Sequence, residues 1–112
     1  MKSKETVFEK KTEWENLGGG VCRQIMGYDK NIMMVKVKFE KGAIGTPHQH
    51  PHVQTSYVAA GKFEVTIDGK TQVLETGDGF FVEPGKTHGV LCLEPGILID
   101  VFNPVREDFL KK

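Results

Sequence analysis

The sequence predicts an all-β chain folded as a two-sheet sandwich or barrel. Three observations carry this. Short stretches of alternating apolar and polar residues recur between positions 32 and 103. The segments between them are brief and rich in Gly and Pro, the residues of tight turns. No stretch before residue 104 has a convincing helical period, and many short strands at regular spacing form sandwiches or barrels.

The elements follow in order. Residues 1 to 17 are polar with scattered apolar positions (Val7, Phe8, Trp14, Leu17), and Glu13 to Leu17 is long enough for one helical turn. Gly18-Gly19-Gly20 is a flexible break. We therefore expect a single domain over 1–112, with 1–20 a leader lying on the barrel or on a partner subunit and 32–103 the barrel core. Met33, Val35, Val37 and Phe39 alternate with Met34, Lys36 and Lys38, the pattern of a half-buried strand, and Lys41-Gly42 turns it. Thr46 to His50 reads as a short strand stopped by Pro51, and Val53 to Ala60 as the next. Phe63, Val65 and Ile67 alternate up to Asp68-Gly69, a strong signal for a two-residue hairpin turn. Gln72 to Leu74 returns, and Gly77-Asp78 turns again. Phe80 to Val82, Val90 to Leu93 and Ile97 to Phe102 complete the strands, and the charged tail from Arg106 to Lys112 reads as a short helix or a frayed end.

Bulk properties narrow the function classes. The 112 residues carry 15 Lys and Arg against 15 Asp and Glu, a formal net charge of zero, with the two signs interspersed. No basic field exists to attract nucleic acid and no polybasic segment to attract a membrane. There is no long apolar run, and the charged start Met1-Lys2-Ser3-Lys4-Glu5 has no apolar stretch after it, so a secretory signal is not expected. Cys22 and Cys92 fit no metal or redox spacing and read as reduced, partly buried residues of a cytoplasmic protein. Phe63, Phe80, Phe81 and Trp14 read as core.

The chemistry is concentrated in the histidines. His48 and His50 share a strand face by the period of two, and Gln54 has the same parity. His88 lies far downstream. Imidazoles converging on one point suit Zn, Cu, Fe or Ni. Gln54 then reads as an oxygen ligand, against the plainer reading of a polar wall residue. His52 has the parity too, but Pro51 breaks the strand before it, so it reads as a surface residue or a support to the ligands. Three neutral imidazoles and a neutral amide leave a divalent ion's charge uncompensated, which favours anionic ligands and Lewis-acid chemistry over oxygen activation. Asp100 is the second anomaly, a carboxylate within the apolar run Ile97 to Phe102 and of one parity with Leu98 and Phe102. Burying it unpaired costs several kcal/mol. It is either a structural ion pair or edge residue, or an acid/base group facing the histidines.

These residues also carry a resemblance. The pattern Gly42-x5-His48-x-His50-x3-Gln54-x6-Gly61, followed by Gly77-Asp78 and Pro84-x3-His88, resembles the two motifs of the cupin superfamily. Two positions depart from that pattern: Gln54 stands where a ligand glutamate is usual, and Cys92 where an asparagine often follows. Asn16-Leu17-Gly18-Gly19-Gly20-Val21, Phe39-Glu40-Lys41-Gly42-Ala43, His50-Pro51-His52 and the stretch from Asp100 to Phe109 resemble the pectin-degradation cupins called KdgF. The resemblance covers nearly the whole chain. It implies a cupin double-stranded β-helix, or jelly-roll barrel. It also implies a metal set of His48, His50, Gln54 and His88 around one divalent ion (Ni, Zn, Mn or Fe), and catalytic roles for Asp100, Phe102 and Arg106.

The activity so implied is ring opening of 4,5-unsaturated uronate monosaccharides to linear 5-keto-4-deoxyuronate, with no redox change and no organic cofactor. The partners are a small carboxylate sugar and a second copy of the chain. Two alternatives stand beside it: a metal-dependent cupin dioxygenase, and a non-catalytic cupin that binds a small ligand.

Overall fold

The computed structural model describes residues 1–111. Eight antiparallel strands dominate: β1 (Glu15–Gly18), β2 (Val21–Asp29), β3 (Ile32–Phe39), β4 (Ile44–His48), β5 (Val53–Ile67), β6 (Lys70–Glu75), β7 (Gly79–Val82) and β8 (His88–Asn103). A turn of 3-10 helix at Glu9–Lys11 precedes them, and a short helix, α1 (Glu107–Leu110), follows. The strands run β1-β2-β3-β8-β5-β6, with β4 added on β8 and β7 on β5. The all-β expectation holds.

Two long strands make the jelly roll. The first half of β5 pairs β7 and the second half of β8, while its second half pairs β6 and the first half of β8. In turn β8 adds β4 beside its first half and β3 beside its second. Each long strand thus belongs to two layers and must bend between them. The register shifts between Val58 and Phe63 mark the bend. Gly61 has φ +86°, and a Cβ there would lie 2.5 Å from the Pro95 carbonyl oxygen. A Cβ on Gly96 would lie 2.4 Å from the Ala60 carbonyl oxygen. Both positions need glycine because two backbones touch there. Sequence reading split each of these strands in two; the glycines that looked like breaks are bends within continuous strands.

The alternation in β3 is as expected, with Met33 and Val35 fully buried and Ile32 and Met34 exposed. Each fully buried side chain of this size contributes about 1.5–3 kcal/mol. The Asp68-Gly69 hairpin is also as expected. Ile67 pairs with Lys70, leaving two loop residues, both at positive φ. Buried residues form two clusters. Phe39, Ala43, Val58, Phe63, Val65, Cys92 and Leu98 form one, with Phe39 and Phe63 edge to face at 5.2 Å. Met33, Val35, Phe102 and Val105 form the other, beneath Phe109 and Leu110.

Three local expectations are corrected. Glu13 to Leu17 makes no helical turn: Glu15–Gly18 is a strand on β2, and the helical turn sits earlier, at Glu9–Lys11. The strand expected over Thr46 to His50 runs instead over Ile44–His48, so His50 lies in a loop. Phe81 is not core; it is exposed on the outer face of β7. Phe63 is core as expected, and Trp14 lies under Lys36 and Lys38. The leader lies across the outer face of β2, where the buried Gln24 donates from Nε2 to the Glu9 and Thr12 carbonyls. Lys36 pairs with Glu9 on the same face. Cys22 and Cys92 are free thiols. The tail forms α1; Lys112 lies outside the described residues.

Candidate metal centre and its cavity

His48 closes β4 and faces His88 across the register with the start of β8. His50 reaches the same point from the loop that follows. One ring nitrogen from each of His48, His50 and His88 lies within 4.8 Å of the others. The ring centroids are 4.5 to 5.5 Å apart. Strand alternation therefore does not explain the convergence of His48 and His50. A hydrogen bond inside the loop does, from His50 Nδ1 to the His52 carbonyl at 3.1 Å.

The other two imidazoles are pinned in the same way. His48 Nδ1 meets the Thr46 carbonyl at 2.8 Å, and His88 Nδ1 meets the Lys86 carbonyl at 2.9 Å. A carbonyl only accepts, so in His48 and His88 Nδ1 carries the hydrogen and the neutral ring keeps its lone pair on Nε2. His50 meets an accepting oxygen at both ring nitrogens, the His52 carbonyl and Gln54 Oε1. Burial disfavours the charged ring and holds His50 and His88 below the usual histidine range, with the Arg106 charge acting the same way. Burial thus favours the neutral form of both rings, the form a metal ion needs. His88 Nε2 is buried with no hydrogen-bond partner among the described residues.

Gln54 lies beside this group. Gln54, on β5 opposite Phe102 and Val82, donates from Nε2 to Ser56 Oγ at 3.0 Å. Ser56 donates to Asp100 Oδ1 at 2.6 Å. Gln54 Oε1 is left facing His50 Nε2 at 3.0 Å. A neutral His50 ring has one hydrogen for two oxygens, the His52 carbonyl and this one, so one contact sets lone pair against lone pair unless a cation lies beside it. That contact and the orphaned His88 Nε2 are what a divalent ion would satisfy, and neutral imidazole with amide oxygen is a donor set several transition metals accept. The residues present fit the ion.

A cavity of about 230 Å³ opens beside the histidines, lined among others by His48, Gln54, His88, Asp100, Phe102 and Arg106. Six of the seven site residues expected from the sequence thus line the cavity; His50 stands behind, its ring 5.7 Å from Phe102. Asp100 sits on β8 between Val35 and Ser56. Protein surrounds its carboxyl and pushes it from the ordinary 3.8 up to about 6, while the Ser56 hydrogen bond, Arg106 and His48 pull the other way. Arg106 is buried rather than solvated. Its Nε and Nη2 hold the Asp108 carboxylate at 3.1 and 3.0 Å, and its guanidinium lies 5.0 Å from the Phe102 ring and 4.2 Å from Phe109. One edge of its fork is therefore already used. His52 is no part of the metal set; its Nε2 meets the Val105 carbonyl at 3.1 Å and ties the loop to the tail.

Sequence reading missed Ser56 and Arg23. Ser56 has the parity of Gln54 and Asp100 as its cross-strand neighbour, a signal available once the register is known. Arg23 lines the cavity from β2, bonded to Glu15 at 2.8 Å and 3.8 Å from the Phe109 ring.

Comparison with known proteins agrees with this architecture. Residues 35–102 match the family described as Cupin domain. The chain is 51% identical over 105 residues to the pectin degradation protein KdgF of Dickeya dadantii (strain 3937), covering 92% of this chain and 96% of that protein. An RmlC-like cupin from Shewanella frigidimarina superposes with a TM-score of 0.94 at 49% identity, over 96% of this chain and 97% of that one. KdgF from Halomonas sp. superposes with a TM-score of 0.91 at 38% identity, over 96% and 99%. The chain belongs to the cupin family and, within it, to the KdgF group.

Proposed function

We propose that this chain opens the ring of 4,5-unsaturated uronate monosaccharides and releases linear 5-keto-4-deoxyuronate. What supports the reading is one juxtaposition. A neutral donor set, a carboxyl raised to about 6 and a buried arginine share one small cavity, in a chain akin to a pectin degradation protein.

The ion would be held by His48, His50, His88 and Gln54, and would supply uncompensated positive charge for a carboxylate and for an oxygen gaining negative charge. Asp100 takes the proton of the C1 hydroxyl as the bond between C1 and the ring oxygen breaks. C1 becomes the aldehyde, and the electron pair of the broken bond goes to the oxygen on C5 as an enolate. Asp100 returns the proton to C4 as C5 becomes the ketone. Atoms and electrons balance without an oxidant. Arg106, and Arg23 across Phe109, place positive charge where a substrate carboxylate enters, and Phe102 gives the sugar an apolar wall. The free thiols support a cytoplasmic setting.

The reading includes a homodimer. On one outer face, Met34, Val101, Thr55 and Phe81 stand in register across β3, β8, β5 and β7, with Ile32 and Tyr57 beside them. Four of these apolar side chains are exposed by 44–58%. Such a patch on a charged chain suits an isologous contact with a second copy.

The test is product identification by NMR in an oxygen-monitored cell. An aldehyde and a C5 ketone with no oxygen uptake support the proposal. Oxygen consumption would mark a dioxygenase, and tight binding without turnover a binding module.

A further inference from the structure

We infer that Ser56 is a positioning residue that sets which end of the Gln54 amide faces the metal centre. The inference rests on the metal set proposed above.

An amide ligand has a problem that a carboxylate lacks. Its two ends have nearly the same shape, yet only the oxygen carries a lone pair for a cation. Rotated by half a turn, Gln54 would present its NH2 group to the ion and to His50 Nε2. Nothing in the three imidazoles prevents this. With the His50 hydrogen on Nδ1, the tautomer that leaves Nε2 free to ligate, the rotated amide would even be preferred at that end, since an N–H would then meet the His50 lone pair. The correct orientation must be enforced from the other end of the amide.

Ser56 stands there, 5% exposed, and has one proton to give. Its cross-strand neighbour is Asp100, whose ionised carboxylate accepts only. The 2.6 Å contact therefore takes the Ser56 proton, at the length of a charge-assisted hydrogen bond. The hydroxyl's lone pairs are left facing Gln54 at 3.0 Å. Against lone pairs the amide must present N–H, and Oε1 is thereby turned to His50 at 3.0 Å. The order Asp100, Ser56, Gln54 transmits polarity from the carboxylate to the ligand. It also links the residue proposed to move the proton to a residue proposed to hold the ion.

A glutamate at position 54 would need no such control, because either carboxylate oxygen can ligate. This gives the test. Zn²⁺ affinity is measured by competition with a chromophoric chelator for four proteins: wild type, Ser56→Ala, Gln54→Glu, and the double variant. Removing a group that orients a ligand typically costs about 10–100-fold in metal affinity, so Ser56→Ala should weaken Zn²⁺ by about tenfold or more. In the Gln54→Glu background the same change should alter affinity by no more than about twofold, since the orienting role is gone. Melting of the chelated proteins is measured alongside. An equal loss in both backgrounds would show that Ser56 acts only through packing and would overturn the inference, as would unchanged affinity in Ser56→Ala. If wild type takes up no Zn²⁺, the metal set itself fails and the inference falls with it.

Discussion

Replacing Asp100 by Asn should slow the enzyme and strengthen the fold at once. The carboxyl sits on β8 between Val35 and Ser56, and burial raises it from 3.8 to about 6. A raised folded value means that the folded state prefers the protonated form. The associated stability is fully present below 3.8, and is lost as pH rises through about 6. Above pH 7 the folded ion-free protein therefore carries a penalty. The gap between 3.8 and about 6 corresponds to about 3 kcal/mol. Asn keeps the shape, stays neutral and can still accept from Ser56, but the interaction with the Gln54 amide is disturbed, at a cost of about 1 kcal/mol. The net gain is about 1–2 kcal/mol, or several degrees in Tm for a domain of this size. The assay is melting of chelated wild type and Asp100→Asn at pH 8 and pH 4. Asn should melt higher at pH 8, and the difference should shrink at pH 4. With metal restored, turnover should fall by about 10²–10⁴ while the ion stays bound. An Asp100→Asn protein that melts lower at pH 8 and turns over at the wild-type rate per folded molecule would show a purely structural partner and refute the reasoning.

Three further outcomes are expected. Gln54→Ala should weaken the bound ion less than Ala at His48, His50 or His88, because a neutral amide oxygen is the poorest donor of the four; elemental analysis after dialysis against a chelator ranks them. Arg106→Ala should raise KM strongly and lower kcat less, since it removes charge from the cavity entrance while leaving the proton-transfer group in place, and steady-state kinetics on the metal-loaded variant reads the split. Light scattering at micromolar concentration should give a dimer mass for wild type, and Phe81→Glu, which puts a charge into the outer apolar face, should give a monomer that keeps its fold.

Much of the fold was written in local pattern. The alternation of Met33, Val35, Val37 and Phe39 and the Asp68-Gly69 turn are short-range signals, and both elements formed as read. Strand β2 went unmarked because polar residues stand on both of its faces: Gln24 on the outer face, covered by Glu9 and Thr12 of the leader, and Arg23 on the cavity face, paired with Glu15. The leader's strand β1 was masked for a similar reason: its four residues are exposed and make sense only beside β2. Gly61 and Gly96 looked like breaks because sequence does not reveal that two backbones cross there. In the site, the residue types and spacing of the histidines were enough to bring His48, His50 and His88 together, though the reason given for His50 was wrong: a loop hydrogen bond places it, not strand parity. Ser56 was invisible until the β5–β8 register put it opposite Asp100. A buried hydroxyl announces nothing in sequence; its meaning depends on which neighbour takes its proton.

The central claim is metal-dependent ring opening at this cavity. The most direct measurement follows the alkene absorbance of a 4,5-unsaturated uronate monosaccharide mixed with the protein, with and without prior chelation. The account predicts rapid loss of the absorbance with the metal-loaded protein, a rate reduced towards the uncatalysed one after chelation, and recovery when a divalent transition metal is returned. An absorbance that decays no faster with the metal-loaded protein than without it would contradict the account.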